Sequence, residues 1–160
     1  MKMIHKLVLG AACAGMLYGI WQVVQSPQVD AVHLSHGRPH IVLVRHFPLT
    51  QQGKIDWWDR NQAMLMAKYK IPADDFDLTF MEWDGNYLEP SYDPSSFFNI
   101  GTELRCFDDM DAPANCVEKN WPMDVGRRSD GGVQFTVEGP TGQSTYVRDP
   151  GSDTLRLIPD

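Results

Sequence analysis

The chain has 160 residues, with 21 acidic against 14 basic, a net charge of −7 and 42% apolar residues. That length supports one domain with a real core and not comfortably two. The acidic balance argues against nucleic acid and anionic lipid headgroups as partners, since both need positive charge to neutralise their phosphates.

Leu7 to Val24 read LVLGAACAGMLYGIWQVV, with Gln22 the one interruption of an apolar run. As an α-helix this run would be about 27 Å long at roughly 1.5 Å per residue, just enough for a bilayer core about 30 Å thick. A cleaved signal peptide competes with that reading. A cut at Ala12-Cys13-Ala14, however, would leave only Leu7 to Ala11 as its apolar region,. A lipoprotein cysteine at Cys13 fails likewise, because Leu9 lies one position too far upstream. The run is expected to be an uncleaved anchor.

Lys2 and Lys6 precede it and no Lys or Arg follows until Arg38. The positive-inside rule then keeps the N-terminus cytoplasmic and exports the rest, with Tyr18 and Trp21 near the outer headgroups. Ala11, Gly15 and Gly19 recur every four residues. Such a stripe lets two membrane helices approach closely, which makes these residues candidate helix–helix contacts in a homodimer. The expected organisation is a cytoplasmic tip and anchor over residues 1–24, then a periplasmic domain over 25–160. Without Lys2 and Lys6, 12 basic residues stand against 21 acidic ones, so the domain carries −9 and suits a basic protein partner,.

Val29 to Leu34 and Ile41 to Val44 are apolar and β-branched about the turn Ser35-His36-Gly37-Arg38-Pro39, which predicts a hairpin,. Its second strand is apolar on both faces and should be central. The spacing then predicts a helix over Gln51 to Tyr69, capped by Thr50 and stopped by Pro72. Asp56 can pair with Arg60, and Lys68 and Lys70 suit the C-terminal end. Ile55, Trp58, Leu65, Met66 and Tyr69 form its buried arc, into which Gln62 fits poorly. Trp57 and Met64 fall on the opposite face, where either a loop of the same domain covers them or they meet a partner.

Phe76, Leu78 and Phe80 alternate as a third strand, and Pro90 to Asn99 reads as loop. Met123 to Val125, Val133 to Val137, Ser144 to Arg148 and Thr154 to Ile158 predict a meander with glycine- and proline-rich turns. The expected fold is α+β: a single N-terminal transmembrane helix, then a small antiparallel-sheet domain with one main helix.

Cys106 and Cys116 are the exported thiols, and an oxidising compartment should join them. Closing so short a loop should stabilise by about 3 kcal/mol. Redox catalysis would call for C-x-x-C spacing, which is absent. Asp108, Asp109 and Asp111 cluster inside the loop without the DxDxDG pattern of a calcium site,. They are candidates for presenting charge to a partner, together with Trp57 and Met64. His33, His36, His40 and His46 crowd the first hairpin, where converging imidazoles could hold zinc or copper or sense pH. Their spacing matches no familiar ligand set, so scattered surface histidines are the simpler expectation. No serine-hydrolase, zinc-protease, phosphate-loop or dinucleotide motif occurs,. No catalytic residue, metal or cofactor is assigned, and an enzyme is not expected.

Two blocks carry a family resemblance. One runs through Phe47-Pro48-Leu49-Thr50, Gly53-Lys54-Ile55, Trp57-Trp58, Lys68-Tyr69 and Ile71-Pro72. The other is Leu104-Arg105-Cys106-Phe107-Asp108-Asp109-Met110, followed by Asn115-Cys116 and Glu118-Lys119-Asn120. With the anchor, they resemble a family of small proteins from enteric bacteria catalogued as domain of unknown function 943. The resemblance implies an inner-membrane-anchored periplasmic domain and brings no activity or catalytic residues with it. Such proteins tend to lie near genes for secreted antibacterial effectors, which implies an immunity role. The expected function is therefore a tethered protein-binding module, in its narrower form an immunity protein. The alternatives are an accessory envelope protein that self-associates through its membrane helix, and a metal-binding periplasmic domain.

Overall fold

Alternating β-branched and aromatic residues build most of the domain, and one helix closes it. The computed structural model describes residues 26–33, 40–90 and 104–159. In chain order the elements are strands β1 (Gln28–His33) and β2 (His40–Arg45), helix α1 (Gln51–Tyr69), and strands β3 (Asp77–Glu82), β4 (Leu104–Cys106) and β5 (Cys116–Glu118). Strands β6 (Met123–Arg127), β7 (Val133–Gly139), β8 (Gly142–Arg148) and β9 (Leu155–Ile158) follow. Among the described residues, seven strands form one sheet in the order β1-β2-β3-β6-β7-β8-β9, and β4 and β5 form a separate hairpin.

The α+β class with one main helix holds, and the first hairpin and the C-terminal meander lie where expected. The antiparallel expectation needs one correction. Strands β2 and β3 run parallel, with Ile41 opposite Thr79 and Leu43 opposite Met81. A helical crossover between two strands carries the chain back to its starting end, so the second strand runs alongside the first. The central position of β2 follows: Ile41, Val42, Leu43 and Val44 are all buried.

Helix α1 begins where its sequence says it should. Thr50 is extended and its hydroxyl accepts from the Gly53 amide, which satisfies one of the orphan donors of the first turn. A Cβ at Gly53 would lie 2.8 Å from that hydroxyl, so glycine leaves room for the cap. At the other end Lys70 adopts the left-handed conformation (φ 56°), and both its amide and that of Ile71 donate to the Met66 carbonyl,. Asp56 accepts from Gln52. The arginine fork on this helix comes from the sheet, where Arg148 donates to both oxygens of Asp59 at 2.7 and 2.8 Å. Gln51 staples the helix start to the meander. Its amide donates to the Val137 and Gly142 carbonyls, and its oxygen accepts from Tyr146. The close approach depends on Gly139, where a Cβ would fall 2.7 Å from the Gln51 side chain.

The core lies between α1 and one sheet face. Ile55, Trp58 and Leu65 meet Val42, Val44, Leu78, Phe80, Met123, Val125, Phe135 and Val137. Trp57 belongs to it too. Of the two readings open for that residue, cover by another part of the same domain is the one found, and the Trp57 side chain is not part of an exposed surface. Its indole is only 6% exposed, edge-on to Phe47 and Phe80. The segment leaving β2 folds Phe47 over the first half of the helix, where it covers Trp57. Met64, two turns on, is 52% exposed. Lys54 is also drawn inside, with its ammonium donating to the Glu138 carbonyl at 2.7 Å. Burial lowers its pKa, with Glu82 and Glu138 opposing,.

The expected anchor at residues 7–24 and the Ala11, Gly15 and Gly19 stripe lie outside the described residues, as does His36. Among the described residues no helix is long and apolar enough to cross a membrane.

Candidate functional site

The opposite sheet face is built differently. Ile41, Leu43 and Met81 pack against Phe107 and Val117 of the β4–β5 hairpin, with Ala31, Trp83, Tyr87 and Met110 around them. Cys106 and Cys116 are directly opposed across that hairpin and are joined by the expected disulfide. Leu88 pairs with Cys116 through two backbone hydrogen bonds, adding a further strand-like contact beside β5.

The far end of the hairpin is held by a histidine. His33 is buried and stacks on Phe107, with ring centroids 3.8 Å apart. Its Nδ1 lies 3.0 Å from Asp109 Oδ1 and its Nε2 lies 2.8 Å from the Tyr87 hydroxyl. A neutral imidazole can meet both neighbours, donating from Nδ1 to the carboxylate and accepting from the phenol at Nε2. Burial pushes the Tyr87 hydroxyl up, with Asp109 and Asp30 adding repulsion against the phenolate,. Tyr87 therefore stays a neutral phenol able to donate to Nε2. Sequence reading placed His33 among surface histidines and Asp109 among presented charges. The fold spends both on fixing the hairpin.

The remaining acidic candidates, Asp108 and Asp111, are exposed on the loop between the bridged cysteines. His40 begins β2, whereas His46 follows its end with φ 57°, so the two do not continue one strand alternation. Among the described residues no three His, Cys, Asp or Glu side chains converge as a metal site.

A second feature lies beside the hairpin. Ile41, Thr79, Asp124, Thr136 and Thr145 are successive cross-strand partners from β2 to β8, so they form one row on this face,. Where the row meets the hairpin, Ile41, Thr79 and Asp124 join Arg105 and Trp121 around a notch of about 340 Å³. Trp121 is 50% exposed. The backbone around it is fixed on both sides, since the Asn120 carbonyl accepts from Glu82 and the Pro122 carbonyl from Glu138. The half-buried Asp124 accepts from the Thr79 hydroxyl at 2.6 Å. Burial raises its pKa and the Asp77 carboxylate adds to the rise, while the Thr79 hydrogen bond opposes it,. Arg105 keeps its Nε buried without a partner. Sequence reasoning missed this group. The one available signal was Asp124 within the otherwise apolar Met123 to Val125 strand.

These elements define a small α+β domain whose disulfide-closed hairpin is clamped onto a mixed sheet. The chain belongs to the family described as "Enterobacterial putative membrane protein (DUF943)", which matches residues 1–156. No curated protein and no solved structure matches it.

Proposed function

We propose that this protein is a periplasmic protein-binding module tethered to the inner membrane by residues 7–24, and that it offers the tip of the β4–β5 hairpin to a basic protein partner. The observation that supports this reading is the double fixation of that hairpin. The disulfide closes it at Cys106 and Cys116, and the His33–Asp109 contact pins its far end. Asp108 and Asp111 therefore stand exposed on a loop that loses little freedom on binding, and preorganisation of this kind favours affinity by lowering the ordering cost. The charge of the exported part favours fast encounter with a basic surface. In the narrower form of the proposal the partner is a secreted antibacterial effector, captured as it reaches the periplasm.

The test is capture from detergent-solubilised membranes with the full chain as bait, repeated with Asp108→Asn plus Asp111→Asn. A near-stoichiometric basic protein that is retained at low salt and lost with the double variant supports the reading. Its toxicity with and without this chain then tests neutralisation. Equal capture by both baits would exclude the hairpin tip as the docking surface. Recovery of this chain alone, as an oligomer that is abolished when Gly15 and Gly19 are replaced by Leu, would favour self-association through the membrane helix.

A further inference from the structure

We propose that the notch between Trp121, Arg105 and Asp124 is a binding site for a small zwitterion of the α-amino-acid type with an apolar side chain. The inference is independent of the hairpin-tip reading, because it uses none of the residues assigned there.

The notch carries two opposite charges that do not pair with each other. Among the described residues Asp124 accepts from the Thr79 hydroxyl, and the charge that acts on it is the like charge of Asp77. No described residue forms an ion pair with the Arg105 guanidinium, and its Nε is buried without a hydrogen-bond partner. A permanent cation and a half-buried carboxylate, each lacking a counter-charge at the wall of one cavity, are costly in the empty protein. A ligand that brings both missing charges relieves both costs. An α-amino acid does so compactly: its carboxylate and ammonium are separated by one carbon, and Arg105 and Asp124 line the same notch. Arginine suits the first role because its planar donors match a carboxylate.

The apolar surfaces accommodate the side chain. The buried Ile41 and the half-exposed Trp121 both line the notch, and the backbone on either side of Trp121 is held by hydrogen bonds. The volume of about 340 Å³ is at the small end of ligand sites, which run from roughly 300 to 1,000 Å³. It fits a molecule with the bulk of one amino acid.

The experiment compares three probes of one shape on the full chain in detergent: L-phenylalanine, 3-phenylpropionate without the ammonium, and 2-phenylethylamine without the carboxylate. Calorimetry and saturation-transfer NMR read binding. Phenylalanine should bind at least about tenfold more tightly than either singly charged probe, the scale of one lost charge-assisted hydrogen bond. Arg105→Gln should bring phenylalanine down to the level of phenylethylamine, and Asp124→Asn should bring it down to that of phenylpropionate. Trp121→Ala should weaken all three. Unchanged thermal unfolding of the variants keeps these losses distinct from misfolding, and the probe series on the unaltered chain stands whether or not a variant folds. Equal binding of the three probes would overturn the proposal. So would no binding at concentrations up to about 10 mM, above the affinity expected of so small a ligand.

Discussion

Beneath α1, the sheet buries Trp58, Phe80 and Phe135 completely, and apolar packing holds that face. Across the sheet, a three-residue strand pair covers Ile41, Leu43 and Met81 with Phe107 and Val117, and depends on a disulfide, a stacked histidine and two polar bonds to stay there. The first face has enough apolar area to hold a helix without covalent help. The hairpin has too little, and specific contacts make up the difference. A surface fixed in this way leaves Asp108, Asp111 and Trp121 exposed.

Substitutions should separate the two faces by size of effect. Trp58→Ala should cost about 3–5 kcal/mol, the range for emptying a large aromatic site, measured by guanidinium titration of the full chain in detergent. Trp58→Phe should cost much less, because the buried indole N–H has no partner and its loss removes a desolvation penalty,. Equal losses for the two variants would show that the N–H is satisfied.

Replacing Cys106 and Cys116 by serine should cost about 3 kcal/mol. Hydrogen exchange should quicken in β4 and β5 while the α1 amides keep their protection. Equal loosening of both would mean that the two faces unfold as one unit. His33→Phe preserves the stack on Phe107 but leaves Asp109 and Tyr87 without the imidazole, for a loss of about 1–3 kcal/mol. His33→Ala should lose more.

Thr50→Ala should lower stability by about 1 kcal/mol, as expected for a removed helix cap, and Thr50→Ser should be nearly neutral. The smallest effect concerns pH. Because the folded protein raises the Asp124 pKa, its carboxyl binds a proton more tightly folded than unfolded, and the wild type gains stability as pH falls through that range. Asp124→Asn should therefore be the more stable form at neutral pH. The difference should shrink in acid and vanish below the ordinary carboxylate value of 3.8. A constant difference across pH would assign the effect to packing.

The helix face was the more legible of the two. Thr50, the Ile55–Trp58–Leu65 arc and Pro72 are local signals, and local signals suffice for a helix that begins at a cap and ends before a proline. The same periodic reading placed Trp57 outside, because a 3.6-residue period describes one contact face and Phe47 supplies a second. On the hairpin face, the cysteine pair could be read from its spacing and the expectation of an oxidising compartment,. The partnership of His33 with Asp109 could not, since 76 positions separate them. The notch was equally hidden: Thr79, Arg105, Trp121 and Asp124 come from separate segments, and none forms a motif.

By itself, then, the sequence determined the family, the α+β class, the helix and its ends, the hairpins of the meander and the disulfide. Each of these is encoded by neighbours along the chain or by a long apolar pattern. Tertiary structure alone decided that β2 and β3 run parallel, that Trp57 and Lys54 lie inside, that His33 fixes the hairpin, and that Arg105 and Asp124 share one cavity. Those outcomes depend on which strands lie side by side, and strand order is a property of the whole sheet that no short stretch specifies.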